Sequence, residues 1–335
     1  LMARRMEQTL ASLEALETWK GQPYNWYSTE DGSVLPPRYV SSVDNGNLGC
    51  CLWAAAARLR AVGEMGLADR CDALVRRMDF SLLYDPERSL FHIGFDQGRG
   101  EASAGHYDLL ASESLLLSFL AVAKGDVPLR HFRALSRPLS WSGTLFEYLM
   151  PLLLLTPAPG SLLDRSAQGA VFAQMAAAGG ERPFGESESG RYAFDLNLNY
   201  QYKAFGLPSL SMWGAGGEEV VVAPYAAALA LLVRPRAAAE NLRAMEALGW
   251  ADGHGFFEAG ADGLGRPYAL VQSHMAHHQG MALLAMEAAL KGGIREAFAS
   301  LPAVAAYEWL LQERAPTGKP PERRRPARPR ENAPY

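Results

Sequence analysis

Four glutamates stand where their neighbours would strip them of water. Glu113 lies in Tyr107-Asp108-Leu109-Leu110-Ala111-Ser112-Glu113-Ser114-Leu115, near the start of an apolar stretch. Glu147 interrupts Leu145-Phe146-Glu147-Tyr148-Leu149-Met150, and Glu186 and Glu188 fall in a Gly/Ser loop behind Pro183-Phe184. A carboxylate flanked by large apolar groups is desolvated unless it is paired or protonated, and its pKa rises. A raised-pKa acid beside an ionised carboxylate is what glycosidic cleavage requires. One group protonates the leaving oxygen, and the other attacks or activates water. The plain alternative for each is a helix cap or a surface glutamate.

Loop aromatics strengthen the sugar reading. Trp26, Tyr27, Trp141, Phe184, Tyr192, Tyr200, Tyr202, Trp213, Phe256 and Phe257 offer faces for stacking on sugars, with Asp44, Asn45, Asn47 and Gln201 as hydroxyl partners. Their alternative role is to pack helix ends. His274, His277 and His278 invite a metal reading, because His274 and His278 at i, i+4 would share one helix face. No third ligand and no HExxH pattern accompany them, so they are read as hydrogen-bond donors lining a cavity. No metal and no cofactor is expected, since a Walker loop and a dinucleotide fingerprint are both missing.

These residues need a scaffold, and the apolar spacing at i, i+3, i+4 and i+7 predicts helices nearly everywhere. The expected spans are Met2–Lys20, Gly46–Met65, Leu67–Met78, Tyr107–Lys124, Gly143–Leu155, Leu162–Ala178, Ala223–Val233, Arg234–Leu248, His274–Leu290 and Arg295–Leu311. Between them lie loops rich in Gly, Asn, Asp and aromatics, and Leu90–Phe95 reads as hairpin arms. Ten helices joined in this way suggest an all-α toroid, two concentric rings with one set of loops around a central cleft. A solenoid is the alternative, but no repeat of fixed period supports it.

Composition narrows the class. The 335 residues are 49% hydrophobic and 20% charged, enough for a large core and against wholesale disorder. A net charge of −4 argues against a nucleic-acid partner. Cys50, Cys51 and Cys71 cannot make a disulfide framework, which fits a reducing compartment. The longest apolar runs, Val220–Val233 and Leu149–Leu155, fall short of a membrane span. The first residues read as an amphipathic helix rather than a signal peptide. Opening at Leu1 fits a segment of something longer. Residues 315–335, rich in Arg and Pro, should be a disordered basic tail, leaving residues 1–314 as one domain more acidic than the total.

Longer strings carry a resemblance. Tyr24-Asn25-Trp26-Tyr27, Val43-Asp44-Asn45-Gly46-Asn47-Leu48, Leu83-Tyr84-Asp85-Pro86-Glu87-Arg88 and Tyr107–Glu113 come first. Ser140-Trp141-Ser142-Gly143 through Pro151, Ser187-Glu188-Ser189, Tyr200-Gln201-Tyr202-Lys203 and Met275-Ala276-His277-His278-Gln279-Gly280 follow in order. Together they closely resemble the glycoamylase-like middle domain of cyclic β-1,2-glucan synthases, over roughly Tyr24 to Leu290. The resemblance implies an (α/α)6 toroid whose cleft cleaves β-1,2-glucosidic bonds and passes the glycosyl group to another sugar. The carboxylate pair is then Glu113 and Glu188, with Asp108 and Glu147 as cleft-lining partners. A helix N-terminus at Glu113 would favour its ionisation, as suits a nucleophile, and a mobile loop at Glu188 suits an acid/base. Glu186 would disturb Glu188 by like-charge repulsion. The resemblance also implies partners, the glycosyltransferase and phosphorylase-like regions of a larger synthase, and a cytoplasmic location at the inner face of the bacterial inner membrane. An endo-β-1,2-glucanase of the same fold and a non-catalytic glucan-binding scaffold are the rival readings.

Overall fold

The computed structural model describes residues 2–135, 138–212, 214, 219–261 and 269–314. The basic tail at 315–335 and Trp213 lie outside the described residues. The helices are α1 (Met2–Ala15), α2 (Ser42–Ala61), α3 (Met65–Arg77), α4 (Leu115–Lys124), α5 (Arg130–Ala134) and α6 (Leu145–Leu149). They continue with α7 (Leu162–Ala178), α8 (Pro224–Leu229), α9 (Pro235–Ala247), α10 (Ala276–Leu290), α11 (Gly293–Ala299) and α12 (Pro302–Ala305).

Local chemistry sets their ends. Ser41 caps α2 by accepting the Asp44 N–H, and Ser161 caps α7 by accepting the Asp164 N–H. Thr144 and Glu147 close a reciprocal capping box on α6. Proline shortens several expected helices. Pro151 has no N–H to donate, and the chain passes from α6 into a 3-10 turn at Met150–Leu153. Pro302 starts α12 after an extended Leu301, so the expected Arg295–Leu311 helix is three pieces. The expected Tyr107–Lys124 helix begins only at Leu115 because His106–Tyr107 is a strand.

An all-α description therefore fails. Fifteen short strands among the described residues form six antiparallel sheets of two or three strands. Most are only two or three residues long, too brief for an alternating pattern to show. The expected hairpin arms at Leu90–Phe95 are strands, Leu90–His92 and Gly94–Asp96, but they do not pair with each other and each joins a different sheet. One hairpin, Ser189–Phe194 with Tyr200–Lys203, grows directly from the loop that carries Glu188.

The helices pack as neighbours around the chain. Helix α2 contacts α3, α4 and α11, while α10 contacts α8 and α11. Helix α8 contacts α6 and α9, α6 contacts α7, and α12 bridges α4 and α11. One apolar cluster runs through them from Leu10 to Leu311. Helix α4 is apolar all round and buried on nearly every side, so it sits inside rather than on the surface. Its approach to α2 depends on two glycines: a Cβ on Gly46 would lie 2.5 Å from Leu117 Cβ and 2.7 Å from its Cα, and one on Gly49 would lie 2.6 Å from Leu120 Cδ2.

Backbone-linked atoms cannot swing aside as a side-chain tip can. Gly46→Ala should therefore cost about 1–3 kcal/mol in urea unfolding. Gly66→Ala, with nothing within 4 Å of its would-be Cβ, should be neutral or stabilising. Equal effects of the two substitutions would show that the α2–α4 contact is not tight.

Candidate active site

The helix starts deliver the polar groups. Asp44 lies in the first turn of α2, Glu147 in the first turn of α6, and Glu113 two residues ahead of α4. Glu188 comes from the loop before the Ser189–Phe194 strand. The charges that weigh most on Glu113 are those of Glu188, Asp44 and Glu147, in that order. Glu147 and Asp44 likewise bear on Glu188. Four carboxylates from four separate segments thus share one region.

Their environments differ. Burial, followed by these three negative charges, pushes the Glu113 carboxyl well above its ordinary value, and only the Tyr107 hydroxyl, donating to Oε1 at 3.4 Å, pulls the other way. Burial is also the first cause that raises Glu188, to about 7, with Glu147 next; a hydrogen bond with the Tyr202 hydroxyl opposes it. Glu147 is different in kind. It accepts from the N–H groups of Trp141, Ser142 and Thr144 and from Thr144 Oγ1 at 3.0–3.3 Å, which makes it a structural carboxylate whose charge also acts on the pair.

Three sequence expectations need correction. The dipole of α4 does not leave Glu113 easily ionised. A helix terminus contributes about 0.3–1 kcal/mol, and burial with three like charges outweighs it. The Glu188 segment is pinned rather than loose: Tyr225 Oη donates to the Glu188 carbonyl at 2.9 Å, and the Ser187 hydroxyl bonds Tyr225 Oη at 3.0 Å. Glu186 is paired with Arg182 at 2.7 Å, and the charges that act on Glu188 come from Glu147 and Asp44 instead.

Of the expected sugar contacts, Asp44 and Tyr202 join the cluster, Asp44 exposed and bonded by Asn25 Nδ2 at 3.2 Å. Trp26 is exposed. Trp141 and Asp108 are half-buried, and Gln201 is exposed on the hairpin. Asn47 is half-buried and its Oδ1 has no hydrogen-bond partner among the described residues. Others serve the scaffold. Tyr27 Oη donates to the Glu17 carbonyl, Asn45 Nδ2 donates to the Pro23 and Ser41 carbonyls, and Tyr200 stacks near Phe194 at 4.7 Å.

The histidines do not form the expected helical pair, because α10 starts at Ala276 and leaves His274 outside it. His274 bonds the Phe256 carbonyl and Asp252, whereas His278 is buried against Glu258 at 2.8 Å and against the Tyr225 ring at 3.7 Å. His277 is exposed, its ring 4.0 Å from that of His278. Glu258 and Tyr225 were missed in the sequence. Glu258 follows Phe256-Phe257 just as Glu147 follows Phe146, a carboxylate behind aromatics, and that signal was available. Elsewhere, Asp85 with His92 and His106, and Asp252 with His254 and His274, each bring three potential metal ligands within 4.8 Å. Neither trio includes a member of the carboxylate cluster. An apolar hollow of about 670 Å³ lined by Met6, Cys51, Ala54 and Ile294 also lies apart from it.

Comparison with known proteins follows the same outline. The Glycoamylase family model, described as "Putative glucoamylase", matches residues 105–302. Over 274 residues the chain is 38% identical to Cyclic beta-(1,2)-glucan synthase NdvB of Rhizobium meliloti (strain 1021), a match covering 76% of this chain and 10% of that protein. The chain thus spans about a tenth of that relative's length. Among solved structures, a "putative glucoamylase" from Bacteroides caccae ATCC 43185 aligns with a TM-score of 0.74 at 18% identity, over 92% of this chain and 81% of that one. An endo-beta-1,2-glucanase from Chitinophaga pinensis, in complex with sophorotriose and glucose, gives 0.71 at 16% identity, over 92% and 81%. A mutant endo-beta-1,2-glucanase from Talaromyces funiculosus, in complex with beta-1,2-glucan, gives 0.70 at 15%, over 90% and 69%. At such identities these structures share the fold.

The raised carboxyls have a thermodynamic signature. Folding raises the Glu188 pKa from 4.5 to about 7, so its protonated form stabilises the fold fully below the unfolded value, and that contribution is lost as pH rises through about 7. Glu188→Gln should therefore be more stable than the wild type at about pH 8, by roughly 1–3 kcal/mol, with the gap closing near pH 5. Urea midpoints at the two pH values measure this. A gap independent of pH would refute the raised pKa.

Proposed function

The chain belongs to the Glycoamylase family, and on that footing we propose that it processes β-1,2-glucan by cleaving the glucosidic bond and transferring the glycosyl group to another sugar hydroxyl. The observation that carries this is the meeting of Glu113 and Glu188, both with raised pKa, drawn from distant segments into one partly exposed place. Glu188, near neutrality and bonded to Tyr202, is the acid/base that protonates the leaving oxygen and later takes a proton from the acceptor. Glu113 is the nucleophile or charge stabiliser, and the Tyr107 donor offsets part of the burial and like charge that raise its carboxyl. One proton shared between two close carboxyls gives that division of labour without a third group. The 38% identity to a cyclic β-1,2-glucan synthase favours transfer over simple hydrolysis.

The proposed scaffold is an (α/α)6 toroid over residues 1–314. The first turns of α2, α6, α8 and α10 carry Asp44, Glu147, Tyr225 and His278, and Glu113 immediately precedes α4. Alternate helices that all begin at one place are what an inner ring with its N-termini around a cleft supplies, and the contact of α11 with α2 supports closure. Exposed Trp26 and half-buried Trp141, with Asp108, Asn47 and Gln201, are proposed to line the sugar path. No described helix is long and apolar enough to cross a membrane. We place the domain at the inner face of the membrane, beside the glycosyltransferase and phosphorylase-like regions of a larger synthase.

Glu113→Gln and Glu188→Gln should each lower turnover of linear β-1,2-glucan by about 10²–10⁴-fold. Product chromatography separates the readings: cyclic or re-lengthened glucans indicate transfer, and short linear ones indicate an endo-β-1,2-glucanase. Unchanged turnover in both variants would remove the catalytic assignment, and wild-type binding without turnover would establish a scaffold.

A further inference from the structure

Another group of polar side chains lies on one face of a three-stranded sheet. Strands Tyr84–Asp85, Leu90–His92 and His106–Tyr107 pair antiparallel, with Leu90–His92 in the middle. Successive side chains of a strand point to opposite faces. Tyr84, Phe91 and Tyr107 therefore share one face, and from it the Tyr107 hydroxyl reaches Glu113. Asp85, His92 and His106 share the other face, one from each strand. Each offers a ring nitrogen or a carboxylate oxygen, and these three atoms all lie within 4.8 Å of one another.

Their hydrogen bonds fix which atoms are on offer. His92 Nδ1 lies 2.8 Å from the Ser103 carbonyl, which can only accept, so Nδ1 carries a proton and Nε2 is the possible ligand atom. An imidazole held through one N–H to a backbone carbonyl is the usual setting of a metal-bound histidine. Asp85 Oδ1 accepts the Glu87 and Arg88 N–H groups at 2.9 and 3.1 Å, while Oδ2 lies 3.0 Å from His106 Nε2. The two imidazoles sit side by side with centroids 4.4 Å apart. All three residues are half-buried, so an ion there is partly shielded from water.

We propose that Asp85, His92 and His106 bind a divalent transition-metal ion of the zinc class, through Asp85 Oδ2 and the two Nε2 atoms, with a fourth position left to water. Two imidazoles and one carboxylate suit such an ion, whereas magnesium and calcium take oxygen ligands. Bonds of about 2.0–2.2 Å in tetrahedral geometry set ligand atoms about 3.3–3.6 Å apart. The His106–Asp85 spacing is close to that, and the widest spacing in the trio needs at most about 1.5 Å of closing, within reach of a side-chain rotation. On binding, the ion replaces the proton between His106 Nε2 and Asp85 Oδ2, which passes to solvent. Arg88, with Nε 3.7 Å from Asp85 Oδ2 and largely exposed, is the cation it displaces. The ion ties the three strands together, including the one that presents Tyr107. The other trio, Asp252, His254 and His274, is exposed at all three positions and holds an ion less well.

Titration calorimetry with zinc chloride, on the full chain stripped by a chelator and dialysed, tests this. His92→Ala and Asp85→Asn should each weaken zinc binding by more than the roughly 10–100-fold that loss of an outer-shell partner costs. Arg88→Ala should bind as tightly as the wild type or more tightly. His254→Ala should leave the site unchanged, and excess magnesium should not compete. Nitrogen NMR of the histidine side chains in the wild type gives a reading that survives if a variant fails to fold. Zinc should shift the His92 and His106 resonances and leave the buried His278 in place. No zinc uptake by the wild type, uptake that survives both His92→Ala and Asp85→Asn, or uptake lost with His254→Ala instead would overturn the proposal. None of these readouts involves turnover, so they stand apart from the glycosidic assignment.

Discussion

Everything around the candidate site answers to one constraint: several negative charges are held close together where water only partly reaches them. Asp44, Glu113, Glu147 and Glu188 come from four segments, and the charges that weigh most on Glu113 are all negative. Such a cluster repels itself, and desolvation magnifies the repulsion. The fold must therefore supply what the carboxylates lack. It does so by aiming helix starts at them, where unsatisfied N–H groups and the positive end of the dipole accumulate. Ser41 and Thr144, the N-caps of α2 and α6, lie within a few residues of Asp44 and Glu147.

The same constraint explains why the packing behind the site is so close. The helix starts converge only if their bodies do, and α2 meets α4 across Gly46 and Gly49, where even a methyl group would collide. Helix α4, buried over most of its length, cannot move outward without exposing Leu116, Leu117, Phe119 and Leu120. At about 1.5–3 kcal/mol for each such side chain, this apolar burial opposes the mutual repulsion of the cluster.

Part of the candidate site was legible in the sequence, and the reason is local. A glutamate amid leucines or aromatics is anomalous whatever the fold, so Glu113 and Glu147 stand out, whereas Glu188, in a Gly/Ser loop, is singled out by the family resemblance. The helices also showed, because their apolar periodicity extends over many residues. What did not show was set by partners distant in the chain or by very short elements. The Glu258–His278 bond spans twenty residues, and the Ser187–Tyr225 bond thirty-eight. Two-residue strands such as His106–Tyr107 carry no pattern, yet that strand delays α4 and puts Glu113 in a turn rather than on a helix. Glu186 misled for the same reason: its nearest charged neighbour in the sequence is Glu188, but its partner in the fold is Arg182.

Hydrogen-bond supply differs sharply among the carboxylates of the cluster. Glu147 receives four donors from its own capping segment, so a negative charge there is matched by fixed dipoles. Among the described residues Glu113 receives one, at 3.4 Å. Glu188 is lowered by the Tyr202 hydroxyl alone among its neighbours, and that hydroxyl also lies 3.3 Å from His278 Nε2. Burial comes first among the causes that raise Glu113 and Glu188, and the charges of Glu147 and Asp44 add to it on both. A carboxylate that caps a helix in this way is not a bystander: it closes the first turn of α6, and it bears on both Glu113 and Glu188.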